Sequence, residues 1–409
     1  MRYDICVIGA GASGLACAVT AAGRGASVIV LEKNDSPGKK IFATGNGRCN
    51  IMNSECPETE RVKFFFRELG LEMKEEAYGR MYPMSEQASD VVFVLEKALE
   101  ARGAKLVTGA AVTGVSRNAD GFIVEFERTA SAGTGSFSKR EDAVTAGKVV
   151  ICAGGKAGPM YGSTGDGYRW ARALGHNVGR LAPALTGIET EEDMKDLAGV
   201  RAACNAALLK RGEKIVVTDG RVQFTDYGLS GICIFDLTRY IILDNETDFA
   251  DYEVALDIVP DMTEEELAEL LGMRLEAAGG HADEDLFRTI VPEKLARKAA
   301  ERVFGANGPE ELSGGAESAV LLAAAELKSM KFRVSGTRGW KMAQVTRGGV
   351  SLDEIDEETM QSMICPGLYF AGEITDFDGP CGGYNLYNAW ITGIKAGEAA
   401  SRSGEAAGV

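Results

Sequence analysis

Apolar positions along the chain change period several times, and the changes divide it. Residues 4–9 (DICVIG) make a short apolar run closed by glycine, residues 10–24 are rich in small side chains, and residues 27–32 (SVIVLE) make a second, β-branched run. Short apolar runs bounded by turn residues read as buried strands, so the opening predicts strand, helix, strand. Residues 85–102 place Val91, Val92, Leu95 and Leu99 at helical spacing before a stop at Gly103. Strands are expected at 105–107, 111–116, 121–127 and 148–152, the last (KVVIC) running into Ala153, Gly154 and Gly155. Residues 130–138 (ASAGTGSFS) read as a hairpin tip or loop without assignable chemistry.

From about residue 185 the pattern shifts. Strand-like runs at 214–218, 222–224 and 254–258 precede helical stretches through 263–328, and another strand is expected near 331–334. The chain then returns to a buried-strand pattern at 367–372 (GLYFAG), a tight glycine loop at 379–385 (GPCGGYN) and a small-residue helix at 389–400. The fold class expected is α/β, opened by a Rossmann-type unit and interrupted by an inserted domain at 187–344. The insertion reads as β-rich and barrel-like over about 187–258 and 329–344, with a small helical subdomain over about 259–328.

Gly9, Gly11 and Gly14 form G-x-G-x-x-G at the first strand-to-helix junction, and Glu32 closes the second strand, where the dinucleotide-binding fingerprint has its acid. In that reading Gly9 permits the tight turn, Gly11 lets backbone approach a pyrophosphate, and Gly14 lets helix and strand pack closely. The helix N-terminus then offers N–H groups to the anion. Glu32 accepts from the ribose hydroxyls and repels a 2′-phosphate, so a ligand unphosphorylated at that ribose is expected. Glycines at a helix cap are the plainer alternative, and the two strands with the acid outweigh it.

Residues 38–53 (GKKIFATGNGRCNIMN) lack helical or strand periodicity and read as a structured loop. Lys39, Lys40 and Arg48 suit phosphate charge, while Gly45 and Gly47 let backbone lie against a flat ring. A solvated basic loop is the alternative. The segment 224–231 (FTDYGLSG) reads as a polar turn, with substrate contact the sharper option.

At 409 residues and 45% hydrophobic content, the chain is long enough for two or three domains. Sixty acidic residues against 44 basic ones leave a net charge of −16, a field that opposes broad nucleic-acid binding. Arg201, Lys210, Arg211 and Lys214 make a modest basic cluster, by default a solvated face. No apolar run approaches a bilayer span, and the first strand starts within a few residues of Met1, so no membrane partner and a cytoplasmic location are expected. The nine cysteines are odd in number and lack CxxC spacing, so they read as reduced thiols. His176 and His281 are the two histidines, too few for a zinc site, and no metal is expected. Both read as surface or structural residues.

Taken together, GAGASG at 9–14, TGNGRCN at 44–50, FTDYGLSG at 224–231, VTRGGV at 345–350 and GLYFAGEITDFDGPCGGYN at 367–385 resemble the BaiN/RdsA-like family of FAD-dependent oxidoreductases, over nearly the whole chain and in order. The resemblance implies resident FAD in a domain of two sequence pieces, 1–186 and 345–409, with no separate complete NAD(P)-binding domain. It implies that Gly11, Ala12, Ser13 and Gly14 hold the pyrophosphate and Glu32 the adenosine ribose. Arg48 and Asn50 then lie beside the flavin, Glu373 meets the ribityl or phosphate side, and Gly382, Gly383 and Asn385 face the pyrimidine edge. Further FAD contacts are expected at Gly9, Lys33, Lys40, Thr44, Gly47, Val112, Ala153, Gly154, Gly372 and Tyr384. A helix N-terminus at the pyrimidine edge suits the negative charge that reduced flavin gains near N1 and the C2 carbonyl. Ile232-Cys233 stands where many relatives have proline, so the turn after Gly231 is expected to differ.

The resemblance implies hydride transfer from flavin N5 to an activated C=C bond of a small-molecule or RNA-borne substrate, with NAD(P)H as transient donor. Two alternatives stand beside it: a flavin amine oxidase using oxygen, and an RNA-directed uridine reductase forming dihydrouridine in ribosomal RNA. Tyr384 and Cys49 lead as catalytic residues, with Tyr387 and Tyr227 as further proton-donor candidates, and packing is the plainer role of each. Cys49 has no paired thiol at short spacing for disulfide chemistry, since Cys56 lies outside its motif.

Overall fold

The two apolar runs at the start of the chain become adjacent parallel strands, the arrangement that buries both faces of each. β1 (Arg2–Ile8) pairs with β2 (Val28–Leu31) from Ile5 opposite Val28 to Ile8 opposite Leu31, and α1 (Ala12–Gly23) makes the crossover. The structure is a computed structural model that describes residues 2–131, 137–243, 246–279, 283–305 and 315–402. The chain divides into two compact units, Met1–Ala182 with Gln344–Val409, and Pro183–Ala343.

In the first unit the chain continues through α2 (Lys39–Ala43), β3 (Met52–Asn53), α3 (Thr59–Glu68), β4 (Met73–Glu76), β5 (Arg80–Pro83) and α4 (Ala88–Ala101). Then come β6 (Lys105–Val107), β7 (Ala110–Asn118), β8 (Gly121–Ser131), β9 (Phe137–Ile151) and α5 (Asp166–Ala173). The main sheet runs β6-β2-β1-β9-β8-β7. β9 joins two patterns: its first residues pair antiparallel with β8, and its last, from Thr145 to Ile151, pair parallel with β1. The expected strand at 148–152 is therefore only the end of a 15-residue strand. Of the expected loop 130–138, residues 132–136 lie outside the described residues, and Ala130 and Ser131 already belong to β8.

Residues 38–53, expected as loop throughout, contain α2, a 3-10 turn at Thr44–Gly47 and β3. These elements are too short to carry a period, which is why the sequence pattern hid them. β3, β5 and β4 form a separate small antiparallel sheet.

The short β10 (Ala182–Ala184) precedes the second unit's closed barrel, whose strands are all antiparallel. The barrel order is β11 (Ile188–Thr190), β14 (Gly228–Ser230), β13 (Glu213–Thr225), β12 (Arg201–Lys210), β15 (Tyr252–Asp257) and β16 (Met330–Thr337). α6 (Ile232–Leu237) follows β14, and α7 (Glu264–Ala277), α8 (Glu293–Phe304) and α9 (Gly315–Lys328) form a helical layer. Thr263 starts α7 with a reciprocal capping box to Glu266. α10 (Gly339–Met342) ends the unit. The chain then re-enters the first unit with β17 (Val345–Arg347), β18 (Leu368–Phe370), which pairs parallel with β9, and α11 (Tyr384–Ala400). His281 lies outside the described residues. Among the described residues, no helix is long and apolar enough to cross a membrane.

His176 is a structural residue in the first unit. Its side chain is fully enclosed, with Nδ1 3.1 Å from Glu354 Oε2, Nε2 2.8 Å from Ser362 Oγ, and the ring edge-on to Phe370. Burial holds the imidazole below its ordinary pKa, with Glu354 opposing. The folded state therefore favours the neutral ring, and the unfolded chain binds the proton first as pH falls below about 6.5. This contribution to stability is complete above that pH and is lost on acidification. Urea midpoints at pH 7.5 and pH 5 are expected to differ more for the wild type than for His176→Phe; equal differences would remove His176 as a source of acid sensitivity.

Candidate cofactor site

Three glycines open α1, and the structure separates their reasons. Gly9 has φ +99°, and a Cβ there would lie 2.5 Å from the Cys152 carbonyl oxygen. A Cβ on Gly14 would lie 1.9 Å from the Gly9 carbonyl oxygen. Both are forced by contact with other backbone. Gly11 has ordinary extended angles (φ −81°, ψ −167°), no side-chain cap, and open space where its Cβ would stand. Nothing within the chain requires glycine at that position.

The last helix lies against the first by the same device. A Cβ on Gly393 would sit 2.3 Å from the Ser13 carbonyl oxygen, one on Gly397 2.5 Å from that of Cys17, and one on Gly372 2.5 Å from Ser13 Oγ. The order of these contacts makes α1 and α11 run the same way. Gly393 is nine residues into α11 and Ser13 one residue into α1. The N-terminus of α11 therefore stands about 12 Å beyond that of α1, at 1.5 Å per residue. Two helix N-termini thus face one way at that offset.

Glu32 is buried, and its carboxylate accepts from Ala10 N at 2.7 Å and Asn34 N at 2.8 Å. Each oxygen keeps a further lone pair for a ribose hydroxyl. Ala110 N donates to the Glu32 carbonyl at 2.8 Å, which brings the start of β7, and Val112 two residues on, to this end. Lys33 is bonded to Asp166 at 2.7 Å and to Thr164. Ala153 and Gly154 follow β9 beside the Gly9 turn, with Ala153 Cα 3.3 Å from the Gly9 Cβ position and Gly154 at φ +67°.

Lys40 pairs with Glu373 at 2.7 Å and donates to the Ala157 carbonyl at 3.1 Å. Glu373 also accepts from Thr346 N at 2.9 Å, and Thr346 Oγ1 accepts from Lys156 N and Ala157 N. Thr346 is fully buried and went unassigned in the sequence reading, although it stands in the VTRGGV motif. Thr44 Oγ1 donates to the Ile41 carbonyl, and Gly45, Asn46, Gly47 and Cys49 all have positive φ. Asn50 Oδ1 is buried without a hydrogen-bond partner, an acceptor that a ligand donor would satisfy.

Two further residues expected at the cofactor have partners for their side chains within the chain. Arg48 lies over the Tyr82 ring at 4.1 Å and pairs with Glu76 and Glu86, so its charge is already matched. Asn385 braces the preceding loop with its side chain, accepting from Gly379 N and donating to the Gly379 and Pro380 carbonyls. Gly382 and Gly383, at φ +123° and +113°, open α11.

The proton-donor candidates separate by burial. Cys49, named as a candidate catalytic residue, is fully enclosed at φ +61°, and burial pushes its thiol up to about 12, against a hydrogen bond from Thr44, which disfavours that role. Tyr387 is buried, donates to the Pro57 carbonyl, and is pushed up to about 12 by burial. Tyr227 belongs to the second unit, stacked under Arg338 at 4.3 Å with its hydroxyl against Gly187. Tyr384 stays partly exposed and donates to Glu55 Oε2 at 2.9 Å. Among the described residues no cluster of metal-ligating side chains occurs. Eight of the nine cysteines are buried, and all are free thiols.

Residues 3–64 and 58–399 match the family described as HI0933-like protein Rossmann domain. The chain belongs to this family. Membership bears out the resemblance read from the motifs, and this HI0933-like protein is an FAD-dependent oxidoreductase. It is 32% identical to the 3-dehydro-bile acid delta(4,6)-reductase of Clostridium scindens, over 97% of this chain and 98% of the relative. It is 27% identical to the ribosomal RNA dihydrouridine synthase of Escherichia coli, over 95% and 96%. Its fold resembles the 3-ketosteroid delta1-dehydrogenase of Sterolibacterium denitrificans, solved with 1,4-androstadiene-3,17-dione, at a TM-score of 0.52 and 14% identity, covering 98% and 99%.

The close α1–α11 contact has a direct test in the HI0933-like chain. Gly393→Ala is expected to push the helices apart and lower stability by about 1–3 kcal/mol, the usual range for overpacking. A urea midpoint equal to that of the wild type would contradict the contact.

Proposed function

We propose that this oxidoreductase reduces an activated C=C bond in a small, largely apolar ring ketone, with NAD(P)H as electron source. The observation that carries the cofactor placement is Gly11: its neighbours Gly9 and Gly14 are demanded by the fold, whereas Gly11 leaves open the approach to the first amides of α1. When bound, FAD supplies a two-electron carrier that takes hydride from a nicotinamide and passes it on from N5. The chain's own groups then have defined tasks. The α1 amides hold the pyrophosphate, Glu32 the adenosine ribose, and the Gly372-Glu373 turn, fixed by Lys40 and Thr346, the ribityl side. The amides at Gly382 and Gly383 lie at the pyrimidine edge, where the helix N-terminus stabilises added negative charge. Tyr384, whose hydroxyl is held by Glu55, is the proton donor this arrangement favours.

The higher identity to a bile-acid reductase, 32% against 27% for the ribosomal RNA enzyme, supports a ring-ketone substrate over uridine in RNA. In the barrel Arg201 is parted from the rest of the basic cluster, while Lys210, Arg211 and Lys214 stay together at the β12–β13 turn. Arg201 and Lys210 occupy opposite ends of β12, about 30 Å apart at 3.3 Å per residue, and Arg211 is paired with Asp251 at 2.8 Å.

Two measurements test the reading. Gly11→Ala alters only a helix cap and is expected to cost about 1 kcal/mol or less in stability, yet to weaken FAD binding at least tenfold; wild-type FAD content in the variant would sink the placement. Separately, protein reduced anaerobically with NADH or NADPH is expected to be re-oxidised by a 3-oxo-4-ene steroid and not by uridine-bearing RNA. Re-oxidation by RNA alone, or reduction by amines in place of nicotinamides, would overturn the substrate assignment.

A further inference from the structure

Asn53 is 3% exposed and every hydrogen-bonding group of its side chain is engaged. Nδ2 donates to the Tyr78 carbonyl at 2.9 Å and to the Gly382 carbonyl at 3.2 Å, and Oδ1 accepts from Glu55 N at 3.0 Å. The amide orientation is unambiguous, since a flip would set an oxygen against two carbonyls and an NH2 against an N–H. The site is also sterically closed: a Cβ on Gly79 would lie 2.6 Å from Asn53 Oδ1, and one on Gly383 2.5 Å from the Met52 carbonyl carbon. Trp390 Nε1 donates to the Ile51 carbonyl at 3.1 Å, so residues 51–53 brace α11 at successive points.

The bond to Gly382 has a consequence for its neighbour. In a planar trans peptide the carbonyl oxygen and the next N–H point in opposite directions. Holding the Gly382 carbonyl on Asn53 therefore turns the Gly383 N–H away from Asn53. Gly382 and Gly383 both have positive φ and no side chain to limit their rotation, so this plane is among the least self-determined in the unit.

We propose that Asn53 is a positioning residue for electron transfer: by holding the Gly382 carbonyl it keeps the Gly383 N–H aimed at the cofactor ring and so sets how readily that ring accepts electrons. The proposal rests on the placement of the ring's pyrimidine edge at the start of α11. Tyr78 takes part as the second anchor, its carbonyl presented by a strained left-handed backbone at φ +63°.

The test compares wild type, Asn53→Ala and the core truncation Leu99→Ala on α4, in saturating FAD. The readouts are the flavin midpoint potential and the pH at which the reduced flavin takes up its further proton. Loss of a donor to the anionic reduced ring is expected to lower the equilibrium constant for reduction of Asn53→Ala about tenfold, or roughly 30 mV for two electrons. The same loss is expected to raise the pH of the protonation step, with Leu99→Ala unmoved in both. Should Asn53→Ala not fold, Asn53→Ser, which keeps an acceptor for Glu55 N, carries the same measurement. A yellow wild type whose potential and protonation step are shared by the Asn53 variant overturns the role of Asn53 alone. A wild type that binds no FAD overturns the underlying placement.

Discussion

Contact between backbone and backbone, possible only where no Cβ intervenes, governs the first unit. The Gly9 turn sits on Cys152 and carries Gly14 above it. Gly393 and Gly397 then bring α11 onto α1, and Gly383 brings the start of α11 onto Met52. Each contact fixes a distance that side-chain packing would leave adjustable, because dispersion between larger groups tolerates several rotamers and a carbonyl against a Cα does not. The two helix N-termini are therefore set at a defined offset by glycines separated by hundreds of residues. An extended ligand needs such a ruler, since its charged centre and its reactive ring must both be met without adjustment.

Hydrogen bonds then freeze the loops that this frame leaves free. Glu373 ties Lys40 to Thr346, Asn385 closes the loop before α11, and Asn53 joins three segments. These are buried or half-buried bonds, where leaving a donor or acceptor unmatched costs about 1–3 kcal/mol. Polar residues in this unit thus act chiefly on backbone groups. In the proposed placement the phosphates and the flavin ring would be addressed by backbone amides, whose direction does not change with protonation state.

What was readable in the sequence follows from the length over which a pattern repeats. β1, α1, β2 and α4 are long enough, or punctuated well enough, to show a period, and the glycine fingerprint added chemistry to position. β12 (RAACNAALLK) escaped because alanine favours helix, and its alternation of buried and exposed positions becomes visible only once the barrel assigns an inside. The small β3-β5-β4 sheet escaped because two- to four-residue strands carry no signal of their own. At the site, the glycine and acid motifs could be read because each is tied to a strand-to-helix junction, Gly9 and Gly14 at the start of α1 and Glu32 at the end of β2. Arg48 and Cys49 were named from their motif, which does not show their surroundings: the guanidinium meets Glu76, Glu86 and Tyr82, and the thiol packs as a core hydrophobe.

The burial of Cys49 and Tyr387 bears on how one scaffold accommodates different unsaturated substrates. If protons came from the thiol or phenol enclosed in the frame, the chemistry would be tied to the same rigid contacts that hold the cofactor. Tyr384 differs. Its backbone opens α11 and belongs to the frame, while its partly exposed phenol is oriented by Glu55, a residue on the segment between β3 and α3. In the proposed mechanism hydride direction would be set by the glycine contacts and proton direction by a side-chain pair, two features that can vary independently. Relatives named for a bile acid and for ribosomal RNA, both aligned over nearly their full length, are what such a separation permits.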